Sequence, residues 1–264
     1  LPVDVRFCGR CVMSNQKPNS FPEFKHRPGR QTPTIHFNED GLCDACKFAD
    51  KKQEIDYDER ERQFLALLDK HRKEDGNYDC IVPGSGGKDS AYVSHLMKYK
   101  YGMHPLTVTW PPALYTDYGY KNYTNWLRIG GFDNLPFRPN PQVHALLTKL
   151  SIENLLHPFQ TFILGQRQYA IKIAMQYDIP LVMYGEGGIE YGQPIAESAS
   201  SKKDNSHITT SDITETYFGG VSIAELKEVH GLTVNDLMPY LPAHPQRIEA
   251  AKIEVHNMGF YIKW

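Results

Sequence analysis

The stretch from Tyr78 to Trp110 restricts the fold of this chain more than any other. Tyr78 to Pro83 is an apolar run of strand length, and Gly84-Ser85-Gly86-Gly87 is a tight turn. Asp89 to Lys100 then places Val93, Leu96 and Met97 at helical spacing, Gly102 stops the helix, and Pro105 to Trp110 gives a second strand. A strand, a glycine turn, a helix and a strand make a βαβ unit. Its helix has to cross back over the sheet, so the strands pair in parallel. The predicted fold class is therefore α/β, a doubly wound parallel sheet.

The rest of the chain is read around that unit. Residues 58–73 predict a helix with Phe64, Leu65, Leu67 and Leu68 on one face, capped by Asp56 or Asp58. Further helices are expected at Tyr120 to Ile129, Val143 to Leu156 and Gln166 to Tyr177, with Gln166 and Arg167 in a first turn. Ile179 to Tyr184 reads as another buried strand, followed by a second glycine turn, Gly185-Glu186-Gly187-Gly188. Residues 198–212 are polar and predict a mobile loop. Ser222 to His256 reads as mostly helical, broken at Pro242 and Pro245. The expected division is a cysteine module at 1–55, a linking helix at 56–76, a nucleotide domain at 77–220 and a helical segment at 221–264. The first residue is Leu and the last six look like core material, so a longer natural chain is expected.

Residues 1–50 are rich in proline and glycine and bury little apolar surface. Such a segment needs a staple. Cys8-x-x-Cys11 and Cys43-x-x-Cys46 supply one: four thiolates at the spacing of a zinc ribbon, a closed and therefore structural site. Paired C-x-x-C motifs suit a reducing, cytoplasmic compartment better than a disulfide framework. Cys80, inside the first strand, is expected to pack. The formal net charge is −2, so no bulk positive field draws nucleic acid. No apolar run reaches membrane-spanning length and no secretory leader is visible.

A glycine turn that opens a helix is an anion site. Its N–H groups are unpaired, and the helix dipole favours negative charge. The Walker A pattern fails because Val82 replaces its first glycine and Asp89 follows Lys88. The dinucleotide fingerprint fails because Asp89 replaces the third glycine, and the nucleophile elbow fails at Pro83.

What remains, Ser85-Gly86-Gly87-Lys88-Asp89-Ser90, resembles the signature of the PP-loop, or N-type, ATP pyrophosphatases. The resemblance implies an adenine nucleotide alpha hydrolase-like sheet. It also implies that ATP is held by Pro83, Gly84, Ser85, Gly86, Gly87, Lys88 and Ser90. Asp89 would help hold Mg²⁺, and Lys88 and Asp89 would act at the reacting phosphate. Trp110 follows the second strand, where such enzymes seat adenine; entry into the core is the other reading. Gly185 would border the nucleotide, and Glu186 would bind Mg²⁺ or substrate or stand in solvent. Asn125 and Asp133 are expected to shape the pocket or, for Asp133, to cap. Tyr191 would touch substrate or be an ordinary loop aromatic.

The order of Cys8-Gly-Arg-Cys11-Val-Met, Phe37 to Cys46, the PP-loop, Ile129-Gly130-Gly131-Phe132-Asp133-Asn134, Gly185-Glu186-Gly187 and Glu190-Tyr191-Gly192 is more specific. It resembles the N-acetyl sugar amidotransferases of bacterial lipopolysaccharide O-antigen and nonulosonic-acid pathways. That resemblance implies ATP, Mg²⁺ and structural Zn²⁺ as cofactors, and a nucleotide-linked N-acetyl sugar as substrate. It also implies ammonia from a separate class-I glutaminase with a cyclase-like barrel partner. Nucleic acid and membrane are not expected partners. The competing reading, a PP-loop enzyme of tRNA thiolation or lysidine type, calls for a basic face and a cysteine downstream of the loop. This chain has neither the charge balance nor a cysteine after Cys80.

Overall fold

The structure, a computed structural model, describes residues 2–185 and 200–264. Its centre is a five-stranded parallel sheet formed by β1 (Cys80–Pro83), β2 (Pro105–Thr109), β3 (Asn134–Pro136), β4 (Leu181–Tyr184) and β7 (Glu254–Asn257), in the order β3-β2-β1-β4-β7. The order reverses direction at β1, so the crevice of a doubly wound sheet opens at the carboxyl end of that strand. A small antiparallel pair, β5 (Tyr217–Phe218) and β6 (Val221–Ser222), lies outside it. The three inner strands are buried on both faces; β1 and β4 accordingly read as continuous apolar runs, while β2 also buries Thr107 and Thr109.

Helices cover both faces. Before the sheet come α1 (Asp44–Lys51) and α2 (Tyr57–His71); the Asp56 side chain caps α2 by accepting the Glu59 N–H at 3.0 Å. After β1 comes α3 (Lys88–His95), which runs into a wider π turn at Leu96–Lys100. Then follow α4 (Asp117–Arg128), α5 (Pro141–Leu155) and α6 (Gln160–Gln176). The C-terminal part holds α7 (Ile223–His230), α8 (Val234–Leu237), α9 (Pro245–Ala250) and α10 (Met258–Tyr261). On one face, Phe64, Leu68, Val93, Met97, Met258 and Tyr261 pack on Cys80, Val82, Leu181 and Met183. On the other, α5 and α6 pack on Ile81, Leu106, Val108 and Val182. Cys80 is fully buried, and burial pushes its thiol up, as a packing residue requires.

Three expectations change. Residues 221–264 are not all helical: Glu254–Asn257 is the edge strand β7, paired residue for residue with β4 from Leu181↔Glu254 to Tyr184↔Asn257. Its mixed sequence, with Glu254 and His256, hides a strand signal because these side chains find their partners only across the fold, with His256 Nε2 and Asn257 Oδ1 left without hydrogen bonds among the described residues. Glu254 receives Lys70 Nζ at 2.7 Å, and His256 Nδ1 faces the Tyr261 hydroxyl at 2.8 Å. Secondly, the described part of the polar 198–212 loop is tied down. The Lys203 N–H donates to Val255, the Thr210 N–H to Ala243, and Ile208 is buried. Thirdly, α6 begins at Gln160, so Gln166 and Arg167 lie well inside the helix.

Close packing between α6 and β2 carries a testable consequence. A Cβ placed on Gly165 would lie 2.1 Å from Trp110 Cζ2. The Trp110 ring is itself held by Phe137, Tyr169 and Tyr240 and has nowhere to go. Gly165→Ala is therefore expected to destabilise the protein by about 3 kcal/mol, at the upper end of overpacking costs, which a urea titration would read as a lower midpoint.

Candidate functional site

The cysteines form one small cluster. Phe7↔Ser14 and Phe37↔Cys43 bridges turn each C-x-x-C into a knuckle, and the Gly9 N–H donates to Gly41 O across the two at 3.0 Å. The four Sγ atoms lie within 4.8 Å of one another; Cys8 stands 3.8 Å from Cys46 and Cys11 3.6 Å from Cys43. The Arg10 and Cys43 N–H groups donate to Cys8 Sγ, and the Met13 N–H to Cys11 Sγ. Burial pushes the Cys46 thiol up to about 12, with the neighbouring thiols adding to it. At Cys8 burial pulls the same way, but backbone N–H groups outweigh it and bring the thiol down to about 6. Four converging sulfurs with amide donors already aimed at two of them fit a tetrahedral dication, and zinc is the ion such a donor set favours. Among the described residues the apolar cover of this cluster is Ile35, Met13, Phe37, Leu42 and Ala45, so little besides a metal would hold it.

The glycine loop leaves β1 at Pro83 and enters α3 at Lys88. Two glycines are required by their surroundings. Gly86 has φ +82°, and a Cβ there would come within 2.6 Å of Tyr123 Cα; at Gly84 it would come within 2.3 Å of Ser90 Cβ. The loop is thus pressed between α3 and α4. Gly87, by contrast, meets nothing within 4 Å and caps α3 without a side-chain partner. The first turn of the helix therefore opens outward at a glycine, the arrangement in which backbone N–H groups meet phosphate. Lys88 projects outward, its side chain 83% exposed, with Nζ 2.6 Å from Asp89 Oδ1. Ser90 Oγ donates to Gly87 O at 3.1 Å.

Gly185 follows β4 on the same edge of the sheet. The Trp264 ring covers it, with Cη2 3.1 Å from where a Cβ would stand, and its carbonyl accepts the Gly259 N–H at 2.8 Å. Glu186, Glu190 and Tyr191 lie outside the described residues. Trp110 follows β2 and is 4% exposed, stacked on Phe137 at 5.2 Å. The ring belongs to the core, and one edge lines an apolar cleft of about 1100 Å³ bounded by Pro111, Leu114, Tyr115 and Phe159.

Not every expected residue joins this edge. Asp133 stands at the amino end of β3, where its carboxylate accepts the Tyr78 hydroxyl at 3.1 Å. The carboxyl ends of the strands, and the loop, are on the opposite side. The Gly130-Gly131 turn is likewise structural: Gly131 has φ +64°, and a Cβ on Gly130 would strike Trp126 O at 2.2 Å. Asn125 accepts the Ile129 N–H through its backbone in the last turn of α4. What the sequence did not reveal is the support for the loop. Tyr123 and Trp126 approach it from α4, as Trp264 approaches Gly185 from the C-terminal segment, and no spacing rule links these residues to the two turns.

No protein-family model matches the chain, and no curated protein matches it. Among solved structures it is similar to the NMN synthetase from Francisella tularensis, at 14% identity and a TM-score of 0.37, over 75% of this chain and 93% of that one. That overlap is too loose to carry residue roles from one chain to the other.

Proposed function

We propose that the chain is an ATP-dependent amidotransferase that activates the acetamido group of a UDP-linked N-acetyl sugar by adenylation. One observation carries the reading. Ser85-Gly86-Gly87-Lys88-Asp89-Ser90 joins the central strand to α3 at the point where strand order reverses, and Gly87 leaves the helix terminus open.

The chemistry needs an activated oxygen, because an amide oxygen is a very poor leaving group. The acetamido carbonyl oxygen attacks the α-phosphorus of ATP, the bond to the β-phosphate oxygen breaks, and pyrophosphate leaves. Ammonia then adds to the adenylated carbon, the C–O bond breaks with AMP departing, and an acetamidino group remains after loss of a proton. The loop amides and Lys88 would hold the leaving pyrophosphate, a task of positioning and charge neutralisation. Asp89, in the first turn of α3, would hold Mg²⁺, whose charge offsets that of the phosphates. Adenine would rest against Trp110 and the segment 111–115. Gly185 would border the nucleotide, and Glu186 is proposed as a second acidic ligand or substrate contact.

Ammonia is proposed to come from a separate glutaminase, since the chain shows no glutaminase nucleophile. Conversion of the sugar by the purified chain with glutamine alone would remove that partner. The reading itself is tested by pyrophosphate release from ATP. It expects release to require a UDP-linked N-acetyl sugar, and release beyond one equivalent per chain to require ammonia as well, across a panel of diacetamido UDP-sugars; ATP turnover indifferent to every sugar would refute it.

A further inference from the structure

A second cleft, of about 730 Å³, lies between residues 17–32, the carboxyl end of α5 with the turn that follows it, and Arg167 in the middle of α6. Its walls are fixed. Phe24 is fully buried in the main core, and Gln160 Nε2 donates to Glu23 O at 2.8 Å. The Ile35 N–H closes the base of the segment on Lys17 O at 3.1 Å. The volume falls within the roughly 300–1,000 Å³ of small-molecule sites.

The lining is cationic in a chain whose formal net charge is −2. Lys17, Arg27, Arg30 and Arg167 face a single carboxylate, Glu23, together with His26 and His157. Glu23 Oε2 lies 3.3 Å from His157 Nε2 and 3.9 Å from His26 Nε2, but it is buried and accepts no hydrogen bond among the described residues. Arg27 Nη1 donates to the Tyr217 hydroxyl at 2.9 Å, and the Arg30 guanidinium lies 4.4 Å from the Phe21 ring centroid; both partners are neutral. Arg167 forms no ion pair among the described residues, and its Nη1 stands 3.5 Å from His207 Nδ1. Burial, with Arg167 adding to it, brings His207 down to about 4, so that imidazole is neutral at physiological pH. Burial also lowers His26, and the charges of Arg30 and Arg167 add to the effect, so both guanidinium groups act on one spot. Asp204 is the other carboxylate close enough to act on His207.

The cleft is not remote from the glycine loop. α6 runs from the carboxyl edge of the sheet back to the amino end of β4, which puts its first half beside the edge where the loop stands. The phenol of Tyr184, the last residue of β4, is pushed up to about 12 by burial, with the charge of Arg167 pulling against it.

We infer that this cleft binds the diphosphate of a nucleotide-linked substrate, with Arg30 and Arg167 as its principal ligands and Phe21 beside it. Guanidinium groups suit this task because they pair with two phosphate oxygens at once. The inference rests on the sugar-nucleotide reading above and adds where the nucleotide end is held.

The test separates the two. UDP, uridine, inorganic pyrophosphate and UDP-N-acetylglucosamine are titrated calorimetrically into the full chain saturated with a non-hydrolysable ATP analogue, so the glycine loop is occupied. UDP and UDP-N-acetylglucosamine are expected to bind, uridine about 100-fold more weakly, and inorganic pyrophosphate more weakly than UDP. Arg30→Gln and Arg167→Gln are each expected to weaken UDP about tenfold while leaving the affinity for the ATP analogue unchanged. In the unsubstituted protein, UDP should slow amide hydrogen exchange in 17–32 and 154–157, a readout that no folding defect of a variant can imitate. If the ATP analogue fails to bind, the adenylating reading falls. If it binds but UDP does not, or UDP protects other segments, or a tRNA and not UDP protects this one, the diphosphate cleft is wrong and the adenylating reading stands.

Discussion

Lys88→Ala is expected to lower sugar-dependent pyrophosphate release about 10²- to 10³-fold, the usual cost of removing one electrostatic stabiliser of a transition state. The melting temperature should barely move. The Lys88 side chain is 83% exposed and pairs with Asp89 in the next position, and exposed ion pairs contribute roughly 0–1 kcal/mol. The comparison with Asp89→Ala is informative. If the two residues act on one triphosphate, their effects should not add, and the double variant should be little worse than the poorer single one. Lys88→Arg tests the geometry: it keeps the charge but replaces a point ammonium by a planar fork, so partial recovery is expected. Full activity in Lys88→Ala, measured as pyrophosphate per chain, would remove the loop from the chemistry. The open terminus at Gly87 would then be an ordinary helix start.

The second large effect concerns the cysteine cluster. The purified protein is expected to carry one equivalent of zinc, and stripping it should unfold the knuckles. Structural zinc sites contribute roughly 10–16 kcal/mol of apparent binding energy, and this cluster has little apolar cover with which to replace it. The thiols compete for protons when no cation is bound, with Cys8 drawn down to about 6 while Cys46 is driven up to about 12. Zinc should therefore bind with proton release and dissociate as pH falls. Cys46→Ser should show the same loss without a chelator. Limited proteolysis offers the readout: new cuts at 27–42 after metal removal, with the sheet retained because Phe24 and α2 are anchored in the main cores. A metal-free protein as resistant to protease as the purified one would show that packing alone holds the module.

The parallel sheet could be read from the sequence because β1 and β4 are continuous apolar runs and the glycine turn leaves few alternatives. Cys80–Pro83 and Leu181–Tyr184 needed no pattern beyond burial. β7 was hidden for the opposite reason. Glu254 and His256 find their partners on α2 and α10, which no local window contains. The glycine loop was legible because its chemistry is local. Its supports were not: Tyr123 and Trp126 reach it from α4, across the fold. Asp133 shows the same limit in reverse. A polar residue after two glycines suggests a pocket, yet topology puts it on the far edge of the sheet, paired with Tyr78. The cationic cleft is built from residues 17–32 and Arg167, segments that only the docked fold brings together.

The central claim is that the acetamido oxygen, and no other nucleophile, attacks the α-phosphorus. Isotope transfer tests this directly. A UDP-linked sugar carrying ¹⁸O in its acetamido carbonyl is turned over with ATP and ammonia, and the products are weighed by mass spectrometry. The account predicts one ¹⁸O in AMP, none in pyrophosphate, and an acetamidino product without the label. AMP that leaves unlabelled while the sugar keeps its ¹⁸O would contradict it.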